Sequence, residues 1–302
     1  MRFALIANPA AGTAEDGSRA EDVAQALSTQ GHAATVHLTE GPRHAETLAR
    51  DAADQGADVV VAAGGDGTLN EVLNGVAASR RREQCALGVV PVGTGNDFAR
   101  TLGLDSADAA LTALLDGHVR SLDVIDLDGR LFLNASAGGF TAETSSRVSS
   151  DLKQVVGKLA YLIGGARAFL EYEPVRARVE TSRGAFELDL QLFAVCNGAY
   201  IGGGHQLAPT AVPDDGEMEV CLVRAGTALD FLTLLPRLSS GDHLGEDDVT
   251  YFRAREVALT FDRPIKVNTD GEVLDASACR YVMRPGAVRV VAPPATVTGA
   301  VA

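Results

Sequence analysis

Asp58-Val59-Val60-Val61-Ala62-Ala63-Gly64-Gly65-Asp66-Gly67-Thr68-Leu69-Asn70-Glu71 is the stretch on which the fold turns. Residues 58–63 read as a buried strand, and Leu69, Val72, Leu73 and Val76 recur at helical spacing after it. Between strand and helix stand glycines and one carboxylate. Glycine lets a backbone approach a polyphosphate with no Cβ in the way, and the N–H groups that open a helix favour negative charge. A tight strand-to-helix turn needs glycine with or without a ligand, so the loop alone is weak evidence. Asp66 sharpens it: a carboxylate there repels phosphate unless a cation or a hydrogen-bonded network neutralises it, and a Mg²⁺-bound nucleotide resolves that conflict. Thr68, Asn70 and Thr94 offer neutral donors and acceptors to such a ligand; the plain alternative is helix capping, by Thr68 for one helix and by Asn96 or Asp97 for the next.

Outward from this loop, strands alternate with amphipathic helices: strand 3–7, helix 18–30, strand 34–38, helix 42–53, strand 59–63, helix 68–76, strand 87–90 and helix 105–115. The alternation predicts a doubly wound parallel sheet with helices on both faces, a fold that binds ligands at the carboxyl ends of its strands. Three polar turns fall at that edge: Asn8-Pro9-Ala10-Ala11-Gly12, the Gly64 loop, and Pro91-Val92-Gly93-Thr94-Gly95-Asn96-Asp97.

After Ser121 the texture becomes β-rich, with apolar runs at 124–127, 131–134, 175–181, 186–195, 218–223, 257–261, 265–268 and 288–291. Their spacing predicts a sandwich or barrel, interrupted by helices at 151–172 and 229–238. The expected organisation is an α/β domain at 1–122, a β-rich domain at 123–292 and a flexible tail at 293–302.

Composition narrows the function classes. The 302 residues are 46% hydrophobic and 22% charged, with a net charge of −14. An acidic chain is a poor partner for nucleic acid and adheres weakly to anionic lipid. The opening apolar run is too short for a signal peptide, and no stretch approaches the roughly 18 apolar residues of a membrane span, so a cytoplasmic location is expected. Cys85, Cys196, Cys221 and Cys279 are widely separated, which predicts buried reduced thiols, and the six histidines have no metal-ligand spacing.

Asn8-Pro9-x-x-Gly12, Gly64-Gly65-Asp66-Gly67-Thr68-x-Asn70-Glu71-x-x-Asn74-Gly75 and Pro91-x-Gly93-Thr94-x-Asn96-Asp97-Phe98-Ala99-Arg100 together resemble the diacylglycerol kinase catalytic family, which includes soluble bacterial lipid kinases and is related to sphingosine kinases. The resemblance continues through Asn134-x-x-x-Gly138-Gly139-Phe140, Lys158-Leu159-Ala160-Tyr161, Asn197, Gly202-Gly203-Gly204, Asp214-Asp215-Gly216 and Asp270-Gly271-Glu272.

What it implies is ATP- and Mg²⁺-dependent phosphorylation of a hydroxyl on diacylglycerol or a similar lipid, in a cleft between an α/β nucleotide domain and a β-sandwich-like lipid domain. The ATP contacts it implies are Asn8, Thr39, Gly65, Asp66, Gly67, Thr68, Leu69, Asn70, Glu71 and Thr94. The late acidic turn supplies the proton acceptor that a kinase needs, with Asp270 first and Glu272 second; residues two apart on an extended chain share a face. A structural magnesium is implied at Asp215, with the Val212 and Glu217 carbonyls beside it. Asp66, Asp97 and Asp123 match an acidic network near the phosphates. This chain departs from the pattern after Gly12, where Thr13, Ala14, Glu15 and Asp16 replace a basic residue and Arg19 is the nearest cation.

On the lipid side, Gly138-Gly139-Phe140, the apolar positions of 159–169 and the 200–204 loop are candidates for an acyl slot, though such spacing is commonly plain core. Arg80-Arg81-Arg82, Lys153, Lys158 and Arg167 are candidates for a peripheral contact at the inner membrane surface, and a homodimer is a further expectation. Two other readings stand beside the lipid kinase: an NAD kinase-like enzyme, which shares the Gly-Gly-Asp-Gly-Thr run, and an ATP-binding regulatory module with weakened catalysis.

Overall fold

The computed structural model describes residues 1–9, 18–93, 95–139 and 172–294. Thr94, the residues 10–17 that follow Asn8-Pro9, Phe140, the helix expected at 151–172 except for Tyr172, and the end of the tail lie outside the described residues. The chain divides into two units, one formed by Met1–Leu122 with the stretch from Gly286 onward, the other by Asp123–Pro285.

In unit one, β1 (Arg2–Ala7), α1 (Arg19–Thr29), β2 (Ala33–Leu38), α2 (His44–Asp54), β3 (Val59–Gly64), α3 (Asp66–Ala78), β4 (Ala86–Pro91), α4 (Asp97–Thr101) and α5 (Ala107–Asp116) follow in order. The strands are parallel in the spatial order β2-β1-β3-β4. β3 and β4 are buried along their whole lengths, as continuous apolar runs are when both faces of a sheet are covered. Side chains from alternate positions, Phe3, Leu5 and Ala7 with Val59, Val61 and Ala63, pack with Val23 and Leu27 of α1 and Leu114 of α5. The same period of two sends Ala4, Ile6, Val60 and Ala62, all buried, to the opposite face. Ser106 caps α5 by accepting from the Ala109 N–H, and Gly117 ends that helix in the left-handed region.

Unit two is antiparallel. Its strands are β5 (Val119–Leu127, entering from unit one), β6 (Arg130–Phe132), β7 (Ala135–Gly139), β8 (Val175–Thr181), β9 (Gly184–Cys196), β10 (Met218–Arg224), β11 (Val249–Ala254), β12 (Glu256–Thr269) and β13 (Glu272–Val291, which belongs to unit one from Gly286 onward), with α6 (Ala228–Ser240) between β10 and β11. β7 and β8 occupy successive halves of one strand position between β9 and β12. Gly139 sits opposite Leu192 and Val175 opposite Leu190 on β9, while Gly138 faces Val267 and Ala177 faces Phe261 on β12.

Strand periodicity divides β9 between two cores. Phe193 and Val195 join one with Phe132, Phe261 and Tyr281, whereas Leu192, Ala194 and Cys196 join the other with Phe231, Leu234 and Leu238 of α6. Burying a side chain of this size contributes roughly 1.5–3 kcal/mol, and the stacked Phe193 and Phe261 rings, 5.6 Å apart, add to that. α6 begins with a capping box in which Thr227 and Asp230 satisfy each other's main-chain N–H groups. All four cysteines are buried and free of disulfides.

Candidate active site

In unit one, parallel register brings the polar turns to one sheet edge. Ala7 pairs with Leu38 and with Ala63, and Gly64 pairs with Pro91, so the chain leaves β1, β2, β3 and β4 at the same level. Asn8, Thr39 and Val92 are tied there by main-chain hydrogen bonds to Ala63, Ala7 and Gly64. Within the β3–α3 loop, Gly65, Asp66 and Gly67 remain partly exposed, while the Thr68, Leu69 and Asn70 side chains are buried in unit one. The loop therefore presents backbone and one carboxylate.

A Cβ on Gly64 would lie 2.5 Å from Thr68 Oγ1, whereas at Gly65 the nearest atom would be the Val92 carbonyl oxygen at 3.8 Å. Gly64 is thus required by the fold, and Gly65 leaves open space above the loop. Asn70 Nδ2 and Asn96 Oδ1 are buried with no hydrogen-bond partner. A backbone loop with open space above Gly65 fits the close approach of a nucleotide's phosphates.

The acidic residues of this edge have partners. Asp66 accepts the N–H of Asp97 at 3.2 Å and of Phe98 at 3.3 Å, which makes it the capping carboxylate of α4. Burial raises its carboxyl above the usual carboxylate value, opposed by those two N–H groups. Asp97 in turn is paired with Arg100 at 3.1 Å. Arg100 is thus a cation beside Asp97; its three-residue spacing from Asp97 on a helix was the available signal, while Arg19 opens α1. Glu71 accepts from the main-chain N–H of Arg43 at 2.8 Å and of Ala45 at 3.0 Å, so both its oxygens hold the start of α2.

In unit two the late acidic turn is more tightly held than its sequence indicates. Asp270 connects β12 to β13 in the left-handed region, with φ 44°, a conformation that is strained for a residue with a side chain. Its carboxylate accepts three main-chain N–H groups, from Leu133 at 2.9 Å, Asn134 at 3.0 Å and Ala135 at 2.8 Å. The residue is only 8% exposed. The cradle is itself braced, because Asn197 Nδ2 donates to the Leu133 carbonyl at 2.9 Å and to the Asp123 carbonyl at 3.0 Å. Glu272 is gripped by Arg130 through two hydrogen bonds. Asp123 lies in unit two as well, where its Oδ2 accepts the Gly216 N–H at 2.6 Å.

Of the residues expected to hold a structural magnesium, Asp215 is engaged otherwise. Asp215 is paired with Arg253, and its second oxygen accepts the Glu217 N–H at 3.0 Å. Among the described residues no group of three or more His, Cys, Asp or Glu side chains is disposed to hold a metal. A guanidinium and a main-chain N–H take the two oxygens of the carboxylate expected to bind that ion, so Asp215 as arranged does not fit it.

The Diacylglycerol kinase catalytic domain model matches residues 2–127, and the YegS C-terminal NAD kinase beta sandwich-like domain model matches residues 135–292. The chain is 32% identical over 273 residues to a diacylglycerol kinase of Bacillus subtilis (strain 168), covering 90% of this chain and 89% of that one. It belongs to the diacylglycerol kinase catalytic family. Another relative in the family, from Pseudomonas aeruginosa and named probable lipid kinase YegS-like, is 35% identical with 89% of each chain covered. Two Bacillus anthracis str. Sterne crystal structures share the fold: one at 27% identity has a TM-score of 0.80, covering 98% of this chain and 96% of that one. The other, of a diacylglycerol kinase at 23% identity, has a TM-score of 0.74 and covers 98% of each. Family membership makes this chain an enzyme of the lipid kinase kind, with a β-rich C-terminal domain. No helix among the described residues is long and apolar enough to cross a membrane.

Proposed function

We propose that this chain transfers the γ-phosphate of ATP to a hydroxyl of diacylglycerol or a similar membrane-derived lipid, with Asp270 accepting the hydroxyl proton. Unit one is read as the doubly wound nucleotide domain and unit two as the β-sandwich-like lipid domain, with the lipid taken up by peripheral contact at a membrane surface. The observation that carries the reading is Asp270 itself: a carboxylate on strained left-handed backbone, anchored by three N–H groups. Such strain is typical of functional positions.

The residues divide the work by their surroundings. Gly65 and Gly67 allow close approach of the triphosphate, Asn8, Thr39 and Thr94 supply polar contacts at the strand ends, and Asp66 orients the next turn through α4. Thr68, Leu69 and Asn70 shape the loop from beneath, and Glu71 sets the position of α2. Mg²⁺ bound with the nucleotide supplies neutralisation of phosphate charge. Glu272, held by Arg130, keeps the acidic turn in position and is the alternative proton acceptor. Proton acceptance by a positioned side chain contributes about 10² to 10⁴ in rate.

The deciding experiment is an assay with γ-labelled ATP against diacylglycerol in mixed micelles and, in parallel, against NAD. Label should enter the lipid, and Asp270→Asn should lower that incorporation by about 10² to 10⁴; because an amide nitrogen cannot accept the N–H groups that the carboxylate holds, the variant is assayed at a temperature where circular dichroism shows it folded. Label in NAD, or near-normal lipid turnover by Asp270→Asn, would sink the assignment.

A further inference from the structure

The turn before β10 concentrates negative charge on Asp214, Asp215 and Glu217, and the strand adds Glu219. Across the ladder, antiparallel register sets Arg253 of β11 directly opposite Glu219 of β10. Opposed positions of unlike charge on neighbouring strands attract. Here the long guanidinium does more than pair with its neighbour. Its Nη2 reaches Asp215, its Nη1 lies 3.3 Å from Glu217, and its Nε lies 3.4 Å from Glu219. Each nitrogen of the planar fork therefore takes a different carboxylate.

Glu219 makes this arrangement more than a surface ion pair. It is 2% exposed, its Oε1 also accepts from Thr210 Oγ1 at 3.0 Å, and its Oε2 has no hydrogen-bond partner. Burial raises its carboxyl above the ordinary value, with Arg253 among the groups that oppose the rise. A carboxylate this buried needs a fixed counter-charge. The turn also has a structural consequence, since Gly216 binds Asp123.

We infer that Arg253 is the resident cation of this turn, joining Asp215, Glu217 and Glu219 in place of a divalent metal. A guanidinium suits the role because it stays charged, spreads its donors in a plane and sheds water more readily than a small dication. A magnesium ion bound at Asp215 would have to displace the guanidinium or sit beside a like charge. The order of the turn, and through Gly216 the placement of Asp123, is then independent of metal.

The test is thermal unfolding of the full chain, without nucleotide, in EDTA and in millimolar Mg²⁺ or Mn²⁺, together with Mn²⁺ binding followed by electron paramagnetic resonance. Wild type should melt at the same temperature in all three and bind no Mn²⁺ at this turn. Arg253→Met should melt lower in EDTA, by about 2 to 8 °C for a chain of this size. It should regain part of that loss saturably with Mn²⁺ or Mg²⁺, and Asp215→Asn added to it should abolish the regain. A saturable, Asp215-dependent stabilisation of wild type by Mg²⁺ would overturn the inference, as would an Arg253→Met protein that is unaltered in EDTA and takes no metal. Should Arg253→Met fail to fold, the wild-type comparison between EDTA and Mg²⁺, with Asp215→Asn as control, still decides. None of these readouts depends on turnover, so the outcome is separate from that of the lipid assay.

Discussion

Arg130 and Glu272, 142 positions apart in the chain, meet in a two-pronged ion pair with Nε–Oε2 at 3.2 Å and Nη2–Oε1 at 2.5 Å. A fork-to-fork pair constrains orientation as well as distance, so Arg130 fixes Glu272 beside the turn that carries Asp270. The two acidic residues should respond differently to loss of charge. Asp270→Asn should lower kcat by about 10² to 10⁴, whereas Glu272→Gln should cost about tenfold by loosening the turn. Arg130→Gln should resemble Glu272→Gln, and the double variant should lose little more than either single one. Initial rates on lipid micelles measure this; a larger loss from Glu272→Gln than from Asp270→Asn would transfer the base to Glu272.

The two glycines at the end of β3 separate fold from binding. Gly64→Ala places its methyl 2.5 Å from Thr68 Oγ1 and should destabilise by about 1–3 kcal/mol, as overpacking of a tight site does. Gly65→Ala meets nothing closer than 3.8 Å and has an ordinary φ of −87°, so its melting temperature should stay close to wild type. Its KM for ATP should nevertheless rise at least several-fold if phosphate approaches the loop there. An unchanged KM would remove the loop from the nucleotide site.

Glu71 ties α3 to the start of α2 through the N–H groups of Arg43 and Ala45. Glu71→Ala removes both acceptors and should cost about 1–2 kcal/mol in urea unfolding, the size of a lost helix cap. Because α2 follows the Thr39 turn, the KM for ATP should rise with kcat little changed. A large loss of kcat with full stability would instead give Glu71 a direct role in the transfer.

Acid should weaken unit two through His243. The ring is fully buried against Tyr251, and burial lowers its pKa below 6.5. The folded state therefore prefers the neutral ring while the unfolded chain takes up a proton more readily. This contribution to stability is complete above the unfolded value near 6.5 and is lost as pH falls from there toward the lower folded value. Urea midpoints measured across that window should fall with pH in wild type and fall less in His243→Phe; parallel slopes would assign the acid sensitivity elsewhere.

Much of unit one was legible because parallel strands buried on both faces write themselves as unbroken apolar runs. The expected 59–63 and 87–90 runs correspond to Val59–Gly64 and Ala86–Pro91. In unit two, 175–181 coincides with β8, yet β7 left no trace. Its Ala135-Ser136-Ala137-Gly138-Gly139 has little strand character, and Gly138 is there because the Phe193 ring would lie 2.3 Å from any Cβ. β12 read as two strands because Asp262-Arg263-Pro264 interrupts its apolar run, where its pairing with β13 shifts register. β13, with Pro285 and Gly286 inside it, read only at its end. β11 sits at an edge, half-buried, with no alternation to reveal it.

By itself the sequence determined where polar and acidic groups collect: at the carboxyl ends of apolar strands in one unit and at acidic turns in the other. That follows from periodicity and turn chemistry, which are local properties. Only tertiary structure decided which of those groups already have partners. Asp270 is held by main-chain N–H groups some 135 positions away, and Arg253 reaches Asp215 only because β10 and β11 pair in one register. Hydrogen bonds and charges act across a few ångströms of space regardless of separation along the chain, so strand pairing, and not motif spacing, chose each carboxylate's neighbour.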